Sequence, residues 1–189
     1  MAEEVKIRAF LGLPLAKAFE PDLRELLRGL KGKYPLVRWI DPASAHVTLH
    51  FFGSITSEQA KHISTLVKPM TTKSRPLKVF LQGVGGFPNL QHPRVIWVGM
   101  GGETQVLKSL QDGLEREFAK AGFECEKREF KPHLTLGRVK DIRGFGGITP
   151  VEFGPTTTKE VNEVILFQSR LSPQGSIYEA IETYPLSAP

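Results

Sequence analysis

A pattern of histidine, apolar residue, threonine and apolar residue occurs twice, once in each half of the chain. The two copies are His46–Leu49, which reads HVTL, and His133–Leu136, which reads HLTL. Side chains alternate between the two faces of a β-strand, so residues two apart project from the same face, roughly 6–7 Å from each other. Each copy therefore predicts a histidine and a hydroxyl on one face and apolar side chains on the core face. The duplication indicates two half-sites that share one functional cleft.

The predicted cleft brings together His46, Thr48, His133 and Thr135. An unperturbed imidazole has a pKa of about 6.5, so at neutral pH one histidine of a pair can be neutral while the other is protonated. Such a pair suits in-line displacement at phosphorus, where one imidazole takes a proton from the attacking oxygen and the other protonates the leaving oxygen. The threonine hydroxyls can then donate hydrogen bonds to the non-bridging phosphate oxygens.

Metal binding is the main chemical alternative, since histidine is the commonest metal ligand. His46 and His50 would be neighbouring ligands on a helix, but VTLHFF is strand composition, and four residues of strand span about 13 Å. No carboxylate accompanies either motif. The sequence therefore predicts a site without metal. His50, His62 and His92 are interpreted as structural or surface residues, with His50 on the site face of its strand.

Length, charge and cysteine content narrow the class of protein. A chain of 189 residues can bury a sizeable core as one domain or as two small fused lobes. A net charge of +5 is a mild bias towards anionic partners such as nucleic acid. The single cysteine, Cys125, excludes an internal disulfide and is typical of a reducing, intracellular setting. No apolar run reaches the ~18 residues of a membrane span, and the first residues, MAEE, do not resemble a signal peptide, so we expect a soluble cytoplasmic protein.

Hydrophobic periodicity predicts the elements that position the two motifs. Apolar residues recur at helical spacing over residues 16–33, 58–70 and 103–121. Strands are predicted over residues 5–13, 37–40, 46–52, 77–84, 94–100, 133–139, 161–171 and 177–181. The segments 85–93 and 141–150 are predicted connections, and Pro173–Gly175 is a predicted turn. The pattern indicates an α+β fold with helices outside two antiparallel sheets, whose motif strands meet at the centre.

Further segments flank the two motifs in a recognisable order. They are RAFL from Arg8, RW from Arg38, FP from Phe87, PRVIWVG from Pro93, FKPHLTLGR from Phe130, SRLSPQG from Ser169 and YE from Tyr178. Together with the doubled motif, they resemble the LigT-like family of RNA 2',3'-cyclic phosphodiesterases, which belongs to the two-histidine phosphoesterase superfamily. The resemblance covers nearly the whole chain.

This resemblance implies one domain over residues 1–189, made of two pseudo-symmetric lobes whose sheets line a central cleft. It implies hydrolysis of 2',3'-cyclic phosphate ends of RNA or of nucleotides to 2'-phosphomonoesters, without metal or cofactor, and a reverse chemistry that joins tRNA halves through a 2'-5' linkage. Under the resemblance, His46 is the proton donor to the leaving 3'-oxygen, His133 is the base that activates water, and Thr48 and Thr135 hold the phosphate. We expect a monomer, because one chain supplies both half-sites.

Four further residues are candidates for substrate contact. Arg138 follows the second motif as in the family, and the resemblance makes it a candidate for phosphate binding. Strict alternation from His133 places it on the opposite face of its strand, with Leu134 and Leu136, where we expect a structural or surface salt bridge unless a β-bulge at Gly137 redirects the side chain. Phe10, Arg38 and Trp39 are candidates for a wall that holds a nucleotide, since single-stranded RNA ends are held by stacking on aromatic rings and by basic side chains. For buried aromatic residues, packing in the core is the competing interpretation.

Two other functions remain open at this point. The cleft could bind nucleotides without turning them over, in which case substitution of either motif histidine would leave affinity intact. The enzyme could also act on a small cyclic phosphate of the ADP-ribose type rather than on RNA. Salt dependence separates these substrates, because a polynucleotide releases counterions on binding and its affinity falls steeply as salt rises.

Overall fold

The computed structural model describes residues 5–126, 128–172 and 175–188. This part of the chain contains nine strands and three α-helices. The strands are β1 (Ile7–Pro14), β2 (Val37–Trp39), β3 (His46–Ile55), β4 (Leu77–Phe87), β5 (Val95–Gly102), β6 (His133–Val139), β7 (Lys159–Val161), β8 (Glu163–Ser172) and β9 (Gly175–Pro185). The helices are α1 (Ala16–Lys31), α2 (Ser57–Thr71) and α3 (Thr104–Lys120). A short 3-10 helix, Pro42–Ser44, precedes β3.

Two antiparallel sheets hold the two motif strands. The first sheet has the strand order β3-β1-β8-β9, with β3 at its edge, and the second has the order β2-β6-β5-β4-β7. All pairs between these strands are antiparallel. β3 and β6 contact each other although they belong to different sheets. The predicted α+β architecture, with two antiparallel sheets whose motif strands meet, is confirmed.

The helices cover the apolar faces of these sheets. All five apolar residues that predicted α1 are buried, namely Phe19, Leu23, Leu26, Leu27 and Leu30. α1 packs against β2 and β7, α2 against β9, and α3 against α2, β3 and β4. Burial of each Leu or Phe side chain contributes about 1.5–3 kcal/mol, so these contacts supply much of the driving force for the layered arrangement. No described helix has the length and apolar character that a bilayer span would need.

The chain crosses between the two sheets inside a segment that the sequence predicts as one strand, residues 161–171. β7 pairs with β4 in the second sheet, whereas β8 begins two residues later and pairs with β1 in the first. Alternation of apolar residues reports which residues are buried but not against which sheet, so the periodicity cannot reveal this crossing. β9 also runs longer than the predicted residues 177–181. Pro173 and Gln174 of the predicted turn lie outside the described residues.

A second difference concerns the connection predicted over residues 85–93. β4 continues to Phe87, so the first three residues of this segment are strand. The indole ring of Trp97, on the neighbouring β5, occupies the space that a Cβ at Gly85 would need. A glycine inside a strand commonly marks such a close approach, rather than a turn. The expectation of a connection was therefore wrong for residues 85–87.

Candidate active site

The two motifs have the same orientation in their strands, as alternation predicts. In β3 the motif histidine is half-buried, its threonine is exposed, and both apolar residues are buried. In β6 the histidine and threonine are half-buried, and both leucines are fully buried. The apolar residues thus anchor each strand in the core, and the polar residues of each motif share the opposite face.

A β-bulge lies at the end of each motif. In β3, His50 lies opposite Leu11 and Thr48 lies opposite Gly12, which leaves Leu49 as an extra residue. In β6, the same shift leaves Leu136 unmatched. Because a bulge adds one residue, it reverses the alternation beyond it. In each strand, the first residue after the motif therefore lies on the core side, like the bulged residue before it. The second residue after the motif lies on the site face again.

Arg138 reaches the site face because of the second bulge. Strict alternation from His133 would place it on the core face, and the bulge before Gly137 is the exception that reverses this placement. Arg138 is exposed, and its positive charge lowers the pKa of both His46 and His133. A guanidinium that acts on both imidazoles lies where the two half-sites meet.

His50 shows the opposite consequence of the first bulge. The sequence places it on the site face with His46, but the structure buries it on the core side, with 5% of its surface exposed. Its Nδ1 donates a hydrogen bond to Glu115 Oε1 over 2.7 Å. The face assigned to His50 was therefore wrong, and the interpretation as a structural histidine is confirmed.

Each motif histidine is oriented by a backbone carbonyl two residues before it. His46 Nδ1 lies 2.9 Å from the carbonyl oxygen of Ser44, and His133 Nδ1 lies 2.7 Å from that of Lys131. A carbonyl oxygen only accepts, so Nδ1 carries the hydrogen in both imidazoles. This arrangement leaves Nε2 of both rings available for proton transfer, and it is the same in both half-sites.

Burial is the main influence on the titration of the pair. Desolvation lowers the pKa of both His46 and His133 below the ordinary value of 6.5. The hydrogen bonds to the backbone carbonyls oppose this effect, whereas the Arg138 charge reinforces it. His133 lowers the pKa of His46 further by like-charge repulsion, which places the two imidazoles within electrostatic reach of each other. Both histidines are therefore poised to be neutral at pH 7 in the free protein.

Aromatic rings line the first half-site. The His46 ring lies 4.6 Å from the Phe10 ring, 4.9 Å from Tyr178 and 6.1 Å from Phe167, between ring centroids. Phe10 is buried in the centre of this group and stacks on Phe167, its partner in the β1–β8 pair. Sequence reasoning singles out Phe10 but not the other two as site residues. Phe167 and Tyr178 come from strands distant in sequence, and the pairing of β8 with β1 and β9 brings them to His46.

The second half-site has its own aromatic wall. Phe87 meets the His133 ring edge-on at a centroid distance of 4.9 Å, and Trp97 lies 6.2 Å from it. Phe87 and Trp97 are 5.3 Å apart. The segments around both residues contribute to the family resemblance, yet the sequence does not single out either residue for the site. The place of Phe87 depends on β4 continuing to that residue, which the sequence does not predict.

Arg38 and Trp39 lie on opposite sides of β2. Arg38 pairs with Arg138 across the β2–β6 ladder, so both guanidinium side chains start from one face, and Arg38 is exposed. Trp39 pairs with Gly137 and packs against the core, where a Cβ at Gly137 would come within 2.9 Å of its ring. The structure thus brings Arg38 to the same side as Arg138 and keeps Trp39 behind the strand.

Within the described residues, one cluster has the residue types to hold a metal ion, and it lies behind β3. Ligand atoms of His50, Glu115 and Cys125 lie within 4.8 Å of one another. The surroundings favour the neutral thiol, because Cys125 Sγ donates towards the carbonyl oxygens of Glu115 and Phe123, and burial raises its pKa to about 11. A metal thiolate requires deprotonation, which this environment opposes. The residue types of this cluster fit a divalent metal, but the hydrogen bonds and burial of the sulfur favour a protonated thiol, which does not.

Comparison with known proteins agrees with this geometry. A profile of the 2'-5' RNA ligase superfamily matches residues 19–144. A protein of Methanothermobacter thermautotrophicus named RNA 2',3'-cyclic phosphodiesterase is 33% identical over 96% of this chain and 100% of its own length. A protein of the same name from Aquifex aeolicus is 30% identical over 95% of this chain and 97% of its own.

Solved structures share the fold. The crystal structure of TT0787 of Thermus thermophilus superposes with a TM-score of 0.83 at 26% identity, covering 96% of this chain and 99% of that one. E. coli LigT complexed with 3'-AMP gives a TM-score of 0.76 at 24% identity, covering 97% and 99%. With a doubled histidine motif, two sheets whose motif strands meet and relatives matched over their full length, the chain belongs to the 2'-5' RNA ligase superfamily and, within it, to the family of the RNA 2',3'-cyclic phosphodiesterases.

Proposed function

We propose that this protein hydrolyses the 2',3'-cyclic phosphate end of RNA, or of a nucleotide, to a 2'-phosphomonoester. The observation that carries the proposal is the matched orientation of His46 and His133, each held through Nδ1 by a carbonyl and each with Nε2 free for chemistry. The full-length relatives named for this activity support it. The proposal treats residues 1–189 as one catalytic domain of two lobes.

In the proposed reaction, the two imidazoles carry both proton transfers. Nε2 of His133 takes a proton from water as the water oxygen attacks phosphorus, and the bond between phosphorus and the 3'-oxygen breaks. Nε2 of His46 gives its proton to that leaving oxygen, so the product keeps the phosphate on the 2'-oxygen. The hydroxyls of Thr48 and Thr135 donate to the non-bridging oxygens, where negative charge is held. Every step of this proposal is carried by protein side chains, so it calls for no metal.

The cationic side chains supply the remaining charge. Arg138 influences both imidazoles and Arg38 starts beside it on the same face, so a substrate phosphate between the half-sites meets positive charge. A bound phosphate anion raises the pKa of a nearby imidazole, since opposite charges favour the protonated form. Binding of substrate therefore helps His46 to acquire the proton that it later donates. We propose Arg138 and Arg38 as phosphate-binding residues.

The aromatic walls favour a nucleotide over a bare phosphate. Tyr178 lies in the first half-site, where its ring packs edge-on against the buried Phe10. Phe87 and Trp97 lie in the second half-site. Stacking of a base on an aromatic side chain contributes about 1–3 kcal/mol and tolerates any base. We therefore propose that the bases next to the cyclic phosphate rest on these rings.

A second reaction is favoured by the superfamily match, which carries the name of an RNA ligase. In this reaction, which joins two RNA ends, a ribose 5'-hydroxyl attacks phosphorus in place of water. It displaces the 3'-oxygen and leaves a 2'-5' linkage. The same two imidazoles serve this reaction, and its reversal exchanges their roles. The proposal also includes a monomer, since one chain supplies both half-sites, and a cytoplasmic setting, to which the single Cys125 is suited.

The experiment that tests the proposal compares two substrates in the presence of EDTA. The full-length protein is incubated with a nucleoside 2',3'-cyclic monophosphate and with an oligoribonucleotide that ends in a 2',3'-cyclic phosphate. We expect a 2'-phosphomonoester from both, with affinity for the oligonucleotide falling as salt rises. A 3'-phosphate product, or activity that EDTA abolishes, would contradict the mechanism. Binding of both compounds without turnover would favour a nucleotide-binding protein instead.

Substitution of Arg138 should change the pH dependence of this reaction. In Arg138→Met the positive charge next to both imidazoles is lost, so their pKa values rise towards 6.5. The bell-shaped profile of kcat/KM should therefore move to higher pH on both limbs, and KM should rise by about tenfold as a phosphate contact disappears. Arg143→Met, on the exposed loop after β6, is the control. An unmoved profile in Arg138→Met would show that this guanidinium does not act at the site.

A further inference from the structure

The carbonyl of the last motif residue is held in a comparable way in both half-sites. Leu136 O accepts a hydrogen bond from the backbone N–H of Ile40, over 2.9 Å. Leu49 O accepts one from the side-chain amide of Gln111, over 3.3 Å. Both carbonyls belong to the unmatched residue of a bulge. Each bulge is thus fixed by a donor from outside the motif strand, through the backbone in the second half-site and through a side chain in the first.

The position of each strand in its sheet explains this difference. β6 lies between β2 and β5, so the backbone just beyond β2 reaches the Leu136 carbonyl. β3 is an edge strand that pairs with β1. On the side of β3 that faces α3, a helix can offer no free backbone N–H along its middle, because those groups bond within the helix. A side chain from α3, that of Gln111, supplies the donor instead.

Gln111 belongs to a small buried network on α3. Its side chain is buried, and Nε2 also donates to Glu115 Oε1 over 3.1 Å, one helical turn further on. The same Oε1 accepts from His50 Nδ1 over 2.7 Å. Both hydrogens of the amide are therefore used, one on Glu115 and one on the bulge. Glu115 in turn ties the first residue after the bulge to the same helix.

This network bonds to two consecutive residues of the first motif strand, Leu49 and His50. Gln111 holds the residue next to Thr48, and His50 lies two residues beyond Thr48. The bulge decides which way side chains project on either side of it. If its carbonyl were released, the strand could shift by a fraction of an ångström at Thr48 and His46. A misplacement of about 1 Å in catalytic groups can cost about 10²-fold in rate.

We propose that Gln111 is a positioning residue of the first half-site, which holds the bulge at Leu49 so that His46 and Thr48 face their counterparts on β6. Glu115 fixes the orientation of the Gln111 amide and anchors His50. The inference rests on the proposed function for its catalytic readout only. In the second half-site, Ile40 performs the same task through its backbone N–H.

The test compares Gln111→Met with two other variants in the full-length protein. Methionine matches glutamine in length but cannot donate, so the bulge loses its hydrogen bond while the buried volume is kept. We expect kcat for a nucleoside 2',3'-cyclic monophosphate to fall about tenfold with KM nearly unchanged, since an interaction of the transition state is impaired. Glu115→Gln keeps an oxygen that accepts from both partners, and its kcat should stay close to wild type. Thr71→Val is the matched control, because it removes a buried hydroxyl whose hydrogen bonds stay within α2.

A readout that does not depend on turnover separates this inference from the proposed function. The imidazole protons of His46 and His133 can be titrated by NMR in each variant. In Gln111→Met the pKa of His46 should rise towards its usual value as the half-site loosens, while that of His133 stays in place. If wild type shows no turnover, the proposed function fails, but this selective change would still support the positioning role. Equal changes at both histidines, or an effect of Thr71→Val as large as that of Gln111→Met, would overturn it. Should Gln111→Met fail to fold, Glu115→Leu, which removes the support of the amide, must show the same selective change.

Discussion

Replacement of either His46 or His133 by alanine should lower kcat by about 10²–10⁴-fold, which is the usual contribution of one positioned general acid or base. The physical reason is that each imidazole has Nδ1 occupied by a carbonyl and presents Nε2 for chemistry, so its proton transfer depends on that ring. Each loss corresponds to about 3–5 kcal/mol of transition-state stabilisation. The measurement is steady-state turnover of a nucleoside 2',3'-cyclic monophosphate.

Two controls make this prediction specific. His62→Ala removes an exposed histidine on α2 and should leave kcat unchanged. The double variant of His46 and His133 should be about as slow as the slower single variant, because residues that act as a unit are strongly non-additive. Binding of a 2'-phosphate product should persist in all of them. If the His133→Ala variant kept the wild-type kcat, His133 would not be the general base.

The pH dependence of the two single variants tests which imidazole is acid and which is base. If His133 is the base, its replacement should remove the acidic limb of the kcat/KM profile, since that limb reports deprotonation of the base. Replacement of His46 should remove the alkaline limb, where the donor loses its proton. Both limbs in the wild type should lie at low pH, because burial and Arg138 lower the pKa of both groups. If loss of His46 removed the acidic limb and loss of His133 removed the alkaline limb, His46 would be the base and His133 the acid.

Loss of either motif hydroxyl should have the next largest effect. In Thr48→Val or Thr135→Val the shape of the side chain is kept, but a donor to the non-bridging oxygens is lost. Removal of one such preorganised donor typically costs about 10²–10³-fold in kcat. We expect about 10²-fold for each, measured as turnover of the same cyclic monophosphate, because Arg138 still provides charge beside both imidazoles.

Serine variants and a surface control refine this second prediction. Thr48→Ser and Thr135→Ser keep the hydroxyl and should retain most of the wild-type rate. Thr65→Val removes an exposed hydroxyl that bonds within α2, and should have no effect on turnover. A rise in KM with kcat unchanged would mean that the hydroxyls bind ground state and transition state equally well, which would contradict a role in charge stabilisation.

Local patterns predicted the parts of this fold that depend on neighbours in sequence. The apolar spacing of α1 matched its buried face residue for residue, and the alternation of HVTL and HLTL matched the two faces of β3 and β6. Such patterns succeed because a side chain four residues away on a helix, or two residues away on a strand, lies on the same face regardless of what packs against it. The doubled motif also sufficed to select the two histidines that we propose as the catalytic pair.

Contacts between distant segments decided the rest. His50 was assigned to the wrong face, and the face of Arg138 depended on whether a bulge preceded it. Each bulge is held by a donor far away in sequence, Ile40 for the second motif and Gln111 for the first. The aromatic walls of the two half-sites likewise depend on strand order, since their rings come from strands that the sequence does not place side by side.

The sequence by itself determined which residues form the two motifs and which face of their strands the polar side chains share, because strand geometry follows from local alternation. Only the tertiary structure decided that Arg138 acts on both imidazoles and that Phe167, Tyr178, Phe87 and Trp97 lie beside them. Register shifts and the crossing of residues 161–171 between sheets arise from hydrogen bonds whose partners no local pattern specifies. The electrostatic setting of His46 and His133, and hence their titration, is a property of the assembled half-sites.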